Sequence, residues 1–175
     1  MVIWITGLSA AGKTTLCGTL RDLLKPRLSE LVVLDGDAVR AAFGHNLTHI
    51  EADRVVQVRR LQAIARVLAE QGLVVLVGVL YNHPDLLAWN RENLPDYFEV
   101  YLKASLDTVK ARDPKELYAK CESGKIRDVV GLDIPWYEPK APDLVFDMND
   151  PAKPEELARE VANAVPRLRA ALPPE

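Results

Sequence analysis

Apolar residues along this chain fall into short, nearly unbroken runs, separated by longer stretches in which they recur every three or four positions. The short runs are Val2–Thr6, Leu31–Leu34, Leu73–Val79, Phe98–Leu102 and Leu144–Phe146. Runs without polar alternation suit strands covered on both faces, so all five are predicted to be buried strands. The longer stretches, Lys13–Leu24, Ala38–Phe43, Glu51–Gln71, Pro84–Asn93, Ser105–Ala111 and Pro154–Ala171, are predicted helices. Gly72 stands where a helix C-cap is expected, and Pro154 where a first helical turn tolerates proline. This alternation predicts βαβ units: an α/β three-layer sandwich around a mainly parallel five-stranded sheet.

One stretch breaks the pattern. Residues 112–142 are polar and punctuated by Pro114, Gly124, Gly131, Pro135, Pro139 and Pro142. They also carry the cations Arg112, Lys115, Lys120, Lys125, Arg127 and Lys140. A structureless connection of this length is usually functional, and here it reads as a lid on a single domain spanning 1–175.

Gly7-Leu8-Ser9-Ala10-Ala11-Gly12-Lys13-Thr14 matches G-x-x-x-x-G-K-[ST] between a predicted strand and a predicted helix. In such a P-loop, backbone N–H groups surround a phosphate and the helix N-terminus adds its positive end. The expected nucleotide contacts are Gly7, Ser9, Ala10, Ala11, Gly12, Lys13, Thr14 and Thr15. Lys13 is placed at the β- and γ-phosphates of ATP, and the Thr14 hydroxyl on Mg²⁺. A guanine-reading N-K-x-D run is absent, and no carboxylate ends Leu73–Val79, which reads Leu80-Tyr81-Asn82. A switch GTPase and a motor ATPase are therefore disfavoured, and a small-molecule kinase is expected.

Asp35 and Asp37 lie at the end of the second predicted strand, on the side of an open parallel sheet where ligands bind. Asp37 is expected to be the base that accepts the acceptor's hydroxyl proton, and Asp35 to belong to the Mg²⁺ shell. Arg40, Arg54, Arg59 and Arg60 lie close by in sequence, and guanidinium forks suit phosphate and sulfate oxygens.

Composition adds limits. The net charge is −3, so nothing marks the molecule as a whole as a nucleic-acid binder, no nucleic-acid partner is expected, and any anion site must be local. Cys17 and Cys121 form neither a disulfide framework nor a zinc spacing. No secretory signal or membrane-length apolar run is evident, so a reduced, cytoplasmic protein is expected.

Over about residues 1–150 the chain resembles the adenylylsulfate (APS) kinase family. The ordered matches are Gly7–Thr15, Leu34-Asp35-Gly36-Asp37 with Val39-Arg40, Asp53-Arg54 with Arg59-Arg60, and Phe98-Glu99-Val100-Tyr101. They continue with Arg112-Asp113, Leu117-Tyr118, Gly124-Lys125-Ile126, Gly131-Leu132-Asp133, Glu138-Pro139 and Pro142-Asp143-Leu144. The resemblance implies a P-loop kinase fold, ATP and Mg²⁺, and phosphorylation of a nucleotide 3′-hydroxyl. It also implies a mobile lid, a small anionic nucleotide substrate and a homodimer. Carried onto this sequence, it places the acceptor against Arg40, His49, Arg54, Gln57, Arg60, Ile126 and Val129.

The acceptor half departs from the family pattern. His49 and Ile50 stand where a phenylalanine and a serine are usual, Gln57 replaces an asparagine, and Asn82 replaces an arginine. Val129 and Val130 replace the lid phenylalanine and threonine. Losing the two aromatic faces that sandwich adenine removes roughly 1–3 kcal/mol per contact. Trp89-Asn90-Arg91-Glu92-Asn93 and Val129–Pro135 resemble the cytidine diphosphoramidate kinases, homologues serving phosphoramidate modification of polysaccharides. Adenylylsulfate and a cytidine nucleotide therefore both stand as expected acceptors. A non-catalytic nucleotide-binding regulatory module is disfavoured by the retained Lys13, Thr14, Asp35 and Asp37.

Overall fold

In a computed structural model, which describes residues 1–174, the strands are β1 (Val2–Thr6), β2 (Leu31–Asp35), β3 (Val74–Val79), β4 (Tyr97–Lys103) and β5 (Leu144–Asp147). They form one sheet in the order β2-β3-β1-β4-β5, and every pairing is parallel. All five expected strands are present, with no boundary shifted by more than one residue. β1 is central and wholly buried, which is why its sequence is an unbroken apolar run.

The helices are α1 (Lys13–Leu24), α2 (Gly36–Ala42), α3 (Glu51–Glu70), α4 (Pro84–Asn93), α5 (Leu106–Arg112), α6 (Leu117–Glu122), α7 (Pro154–Ala164) and α8 (Pro166–Arg169). The chain steps from β1 out to β2 and then back to β3. Right-handed crossovers in opposite directions put their helices on opposite faces of a sheet. Accordingly α1 packs with α7, while α3 packs with α4.

Local chemistry sets the helix ends. Gly72, at φ +88, closes α3: its N–H donates to Ala69 O at 3.0 Å and that of Leu73 to Leu68 O at 3.2 Å, the two bonds of a Schellman motif. The Ser105 hydroxyl caps α5 through Thr108 N–H at 3.1 Å.

Two expectations are corrected. The last helix does not run unbroken from Pro154 to Ala171. It stops at Ala164 and restarts at Pro166, because proline lacks the N–H that would continue the ladder and pushes Val165 to φ −114, ψ 112. The segment 112–142 is not structureless. It contains α6, held by the Asp113 carboxylate, which accepts from the N–H groups of Leu117, Tyr118 and Ala119 at 2.8, 2.8 and 3.2 Å. It also contains a bridge between Val130 and Ile134.

Two glycines of the first βα unit should respond oppositely to alanine. A Cβ on Gly7 would lie 2.7 Å from the backbone oxygen of Leu102, whereas one on Gly18, inside α1, meets nothing within 4 Å. Gly7→Ala should destabilise the chain by roughly 1–3 kcal/mol. Gly18→Ala should stabilise it by roughly 0.5–1 kcal/mol. Urea unfolding of the two variants measures both.

Candidate active site

The turn between β1 and α1 is organised by its backbone. Ala10 has φ +62 and Gly12 φ +104, so successive N–H groups converge on one side, as in an anion-binding nest. The N–H groups of Ala10, Gly12, Lys13, Thr14 and Thr15 find no acceptor among the described residues. The turn holds its shape through Ala11 N–H to Leu8 O at 3.2 Å and through Lys13, whose Nζ donates to Gly7 O at 2.8 Å and Leu8 O at 2.7 Å. Burial lowers the Lys13 ammonium to about 8, with the nearby Cys17 thiol acting in the opposite sense. Thr14 and Thr15 are exposed.

The acid pair reaches this turn through strand register. Asp35 of β2 and Ile5 of β1 both pair with Gly78 of β3, so β2 and β1 end at the same level on either side of that glycine. A Cβ at Gly78 would come into ordinary van der Waals contact with Lys13 Cβ at 3.7 Å and Cys17 Sγ at 3.6 Å, so this strand end lies against the start of α1. Asp35 is the N-cap of α2, its Oδ1 accepting from Ala38 N–H at 2.8 Å. Asp37 lies in the first turn of α2, exposed, with Lys115 of the lid 3.8 Å away. A pair this exposed adds little stability, but it shows that the segment carrying Lys115 passes beside the acid.

The expected acceptor residues form the rim beside α2. The arginines there hold the rim's own backbone. Arg40 Nη1 donates to Leu47 O and Thr48 O at 3.2 and 3.1 Å. Arg54 donates from Nε to His49 O at 2.8 Å and from Nη2 to Asp128 O at 2.6 Å, tying α3 to the lid. Arg60 donates to Asn46 Oδ1 at 3.0 Å and lies over the Phe43 ring at 4.6 Å. His49 is exposed, and partial burial together with Arg54 and Arg40 lowers its pKa. Gln57 is buried and donates to Gly36 O at 3.0 Å, while its Oε1 has no partner. Ile126 is half-buried.

Not every expectation about this rim holds. Arg59 turns away: its Nη1 donates to Gln62 at 3.3 Å and its guanidinium lies 5.7 Å from the Trp89 ring. Val129 and Val130 are buried at 2% and 1% exposure, and Asp133 holds the Val129 backbone N–H, so neither valine offers an open face. The run Trp89–Asn93 is also remote. Asn90 is fully buried, bonding Gln62 and Tyr97, and Arg91 pairs with Asp143. Tyr97 sits level with Val2, at the start of β1 and thus at the other end of the sheet from the turn.

Two groups, Tyr81 and Tyr118, are given no role by the sequence, and the structure adds the surroundings of Asn82. Tyr81 OH donates to Glu51 at 2.6 Å and its ring meets Tyr137 of the lid edge-on. Asn82 is 2% exposed with both side-chain polar atoms unpartnered. Tyr118 of α6 reaches the first turn itself, donating to Ser9 O at 3.2 Å. Tyr118 stands in the matched Leu117-Tyr118 pair, but nothing in the local pattern shows a contact with a residue so distant in sequence.

Comparison with known proteins agrees with this geometry. The sequence profile of a family described as adenylylsulphate kinase matches residues 1–147. The adenylyl-sulfate kinase of Geotalea uraniireducens is 35% identical over 153 residues, covering 84% of this chain and 72% of that protein. Its counterpart in Vibrio cholerae is 36% identical over 160 residues, covering 90% and 74%. The APS kinase of Mycobacterium tuberculosis, solved in complex with AMPPNP and APS, matches with a TM-score of 0.84 at 35% identity, over 93% of this chain and 95% of that one.

The lowered Lys13 pKa gives binding at this turn a pH signature. A polyphosphate favours charged Lys13, whose pKa without ligand is about 8. Below about pH 7 the lysine is already protonated, and binding needs no proton. Above pH 8, binding must take one up, so affinity should fall by up to about tenfold per pH unit. Calorimetry of ATP binding in buffers of different ionisation enthalpy should show uptake approaching one proton at pH 9 and none from this lysine at pH 7.

Proposed function

The chain belongs to the adenylylsulphate kinase family, and on that premise we propose which residues carry its reaction. The activity is ATP-dependent phosphoryl transfer to an alcohol, the 3′-hydroxyl of a nucleotide, of the adenylylsulfate kinase type. In the proposed assignment the free N–H groups of Ala10, Gly12, Lys13, Thr14 and Thr15 and the Lys13 ammonium hold the triphosphate, with Gly7 and Gly12 allowing the close approach. The single observation that carries it is a turn with five unpartnered N–H groups and a lysine, level with Asp35 across β3.

Asp37 is the proposed base. It takes the proton from the acceptor's 3′-hydroxyl as that oxygen bonds to the γ-phosphorus and the bond to the bridging oxygen of ADP breaks. Its exposure supports this role, since an acceptor can reach it. Lys13 and the loop N–H groups stabilise charge on the transferring group and on the leaving diphosphate. Thr14 and Asp35 fit Mg²⁺: both offer hard oxygens, the Thr14 hydroxyl is exposed, and Asp35 commits only Oδ1 to its cap. When bound, the ion would neutralise phosphate charge. Arg40, His49, Arg54, Gln57, Arg60 and Ile126 are proposed to border the acceptor, whose phosphate or sulfate suits guanidinium groups. Val129 is proposed to act from beneath, shaping the lid rather than stacking on a base.

The acceptor proposed first is adenylylsulfate. A cytidine nucleotide is the second reading, favoured by Asn82, a buried, uncharged amide with both polar atoms unpartnered where the family has an arginine.

Asp37→Ala should lower kcat at least about 10²-fold while leaving the Kd for ATP nearly unchanged. Lys13→Ala should impair both. Equal loss of ATP binding and turnover in the Asp37 variant would overturn the base assignment. Steady-state kcat/KM for adenylylsulfate against cytidine diphosphoramidate decides the acceptor.

A further inference from the structure

Tyr118 is 1% exposed although it belongs to α6, a six-residue helix of the lid. Its hydroxyl donates to the backbone oxygen of Ser9, 109 positions earlier in the chain. The residue after Ser9 is Ala10, at φ +62. In that region a Cβ crowds the backbone, and glycine is the residue at ease. The turn therefore adopts a disfavoured conformation at the peptide that Tyr118 touches, and something outside the turn must help to hold it.

Peptide geometry says what the contact controls. There are no cis peptide bonds in the described chain, so the Ser9 carbonyl and the Ala10 N–H point in opposite directions across one rigid plane. Holding the carbonyl toward α6 turns the N–H away from α6, toward the concave side of the turn. That N–H has no acceptor among the described residues. A rotated peptide would present an oxygen to the phosphates in its place. The tyrosine is itself held by the Asp113 carboxylate, which accepts from the N–H groups of Leu117, Tyr118 and Ala119.

We infer that Tyr118 is a positioning residue for ATP: its hydroxyl locks the Ser9–Ala10 peptide with the Ala10 N–H aimed at the phosphates, so that seating the lid helix and readying the turn are one event. This rests on the reading of the turn as the ATP site. It also gives the lid a role at the donor nucleotide, besides covering the acceptor.

The test is a double-mutant cycle read by ATP binding and by steady-state kinetics. Tyr118→Phe keeps the ring and removes the hydroxyl. It should weaken the Kd for ATP by about 3- to 10-fold, the worth of one hydrogen bond, with the KM for the acceptor unchanged. Ala10→Gly removes the crowding at φ +62. Added to Tyr118→Phe, it should return the ATP Kd to within about twofold of the unaltered chain, a non-additivity that residues acting independently would not show. Asp113→Asn loosens the seat of Tyr118 without touching its ring, and should give the same ATP-selective loss if the phenylalanine variant does not fold. An ATP Kd unmoved by Tyr118→Phe overturns the inference, as does a loss that Ala10→Gly fails to recover or one shared equally by the acceptor KM. An unaltered chain that binds no ATP overturns the functional reading together with this one, whereas equal ATP binding by chain and variant overturns this one alone.

Discussion

Buried or crowded backbone N–H groups rarely stay without an acceptor, because each left unpaired forfeits the hydrogen bond it made with water. Along the turn and the first turn of α1, the N–H groups of Ala10, Gly12, Lys13, Thr14 and Thr15 have no partner among the described residues. An anion would complete this arrangement better than water does, and much of the surrounding structure serves to keep the turn from relaxing. Lys13 folds back on the Gly7 and Leu8 carbonyls. Leu102 of β4 lies against Gly7 so closely that a side chain there has no room. Tyr118 reaches in from the lid to Ser9. Strand, helix and lid thus each touch the turn at a different carbonyl or glycine.

The second component is the sheet. Its parallel order brings β2 to the level of β1 with β3 between them, and Gly78 of β3 lies next to Lys13 and Cys17 of α1. Asp35 then begins α2, and Asp37 follows in the first helical turn. One acid is tied to a backbone N–H and the other is open to an acceptor, although the two stand two residues apart. Their different surroundings support their different proposed roles.

The rim has two duties. Arg40, Arg54 and Arg60 lend donors to backbone or side-chain oxygens of residues 46–49 and 128, so the groups proposed to meet an anionic acceptor also hold the backbone of two neighbouring segments. Replacing any of them would disturb shape and charge together. Departures from the family pattern therefore need not act by direct contact. Val129 and Val130 lie inside the lid's own packing, and Trp89–Asn93 braces α4 at the far end of the sheet. Neither valine offers an open face, and Asn90 and Arg91 are committed to partners within the protein.

By itself the sequence determined the five strands, all but one of the longer helices, the phosphate-binding turn and the acid pair. These follow from local rules: unbroken apolar runs, helical spacing, and glycines placed where backbone must approach a ligand. It also carried enough of the family pattern to indicate the class of reaction. Only the tertiary structure decided that Arg59 faces Trp89 and not the site, that Val129 points inward, that Pro166 splits the final helix, and that Tyr118 meets Ser9. Rotation about a helix axis and burial within a lid depend on what packs opposite. Such contacts join residues tens of positions apart, and no local periodicity encodes which partners meet.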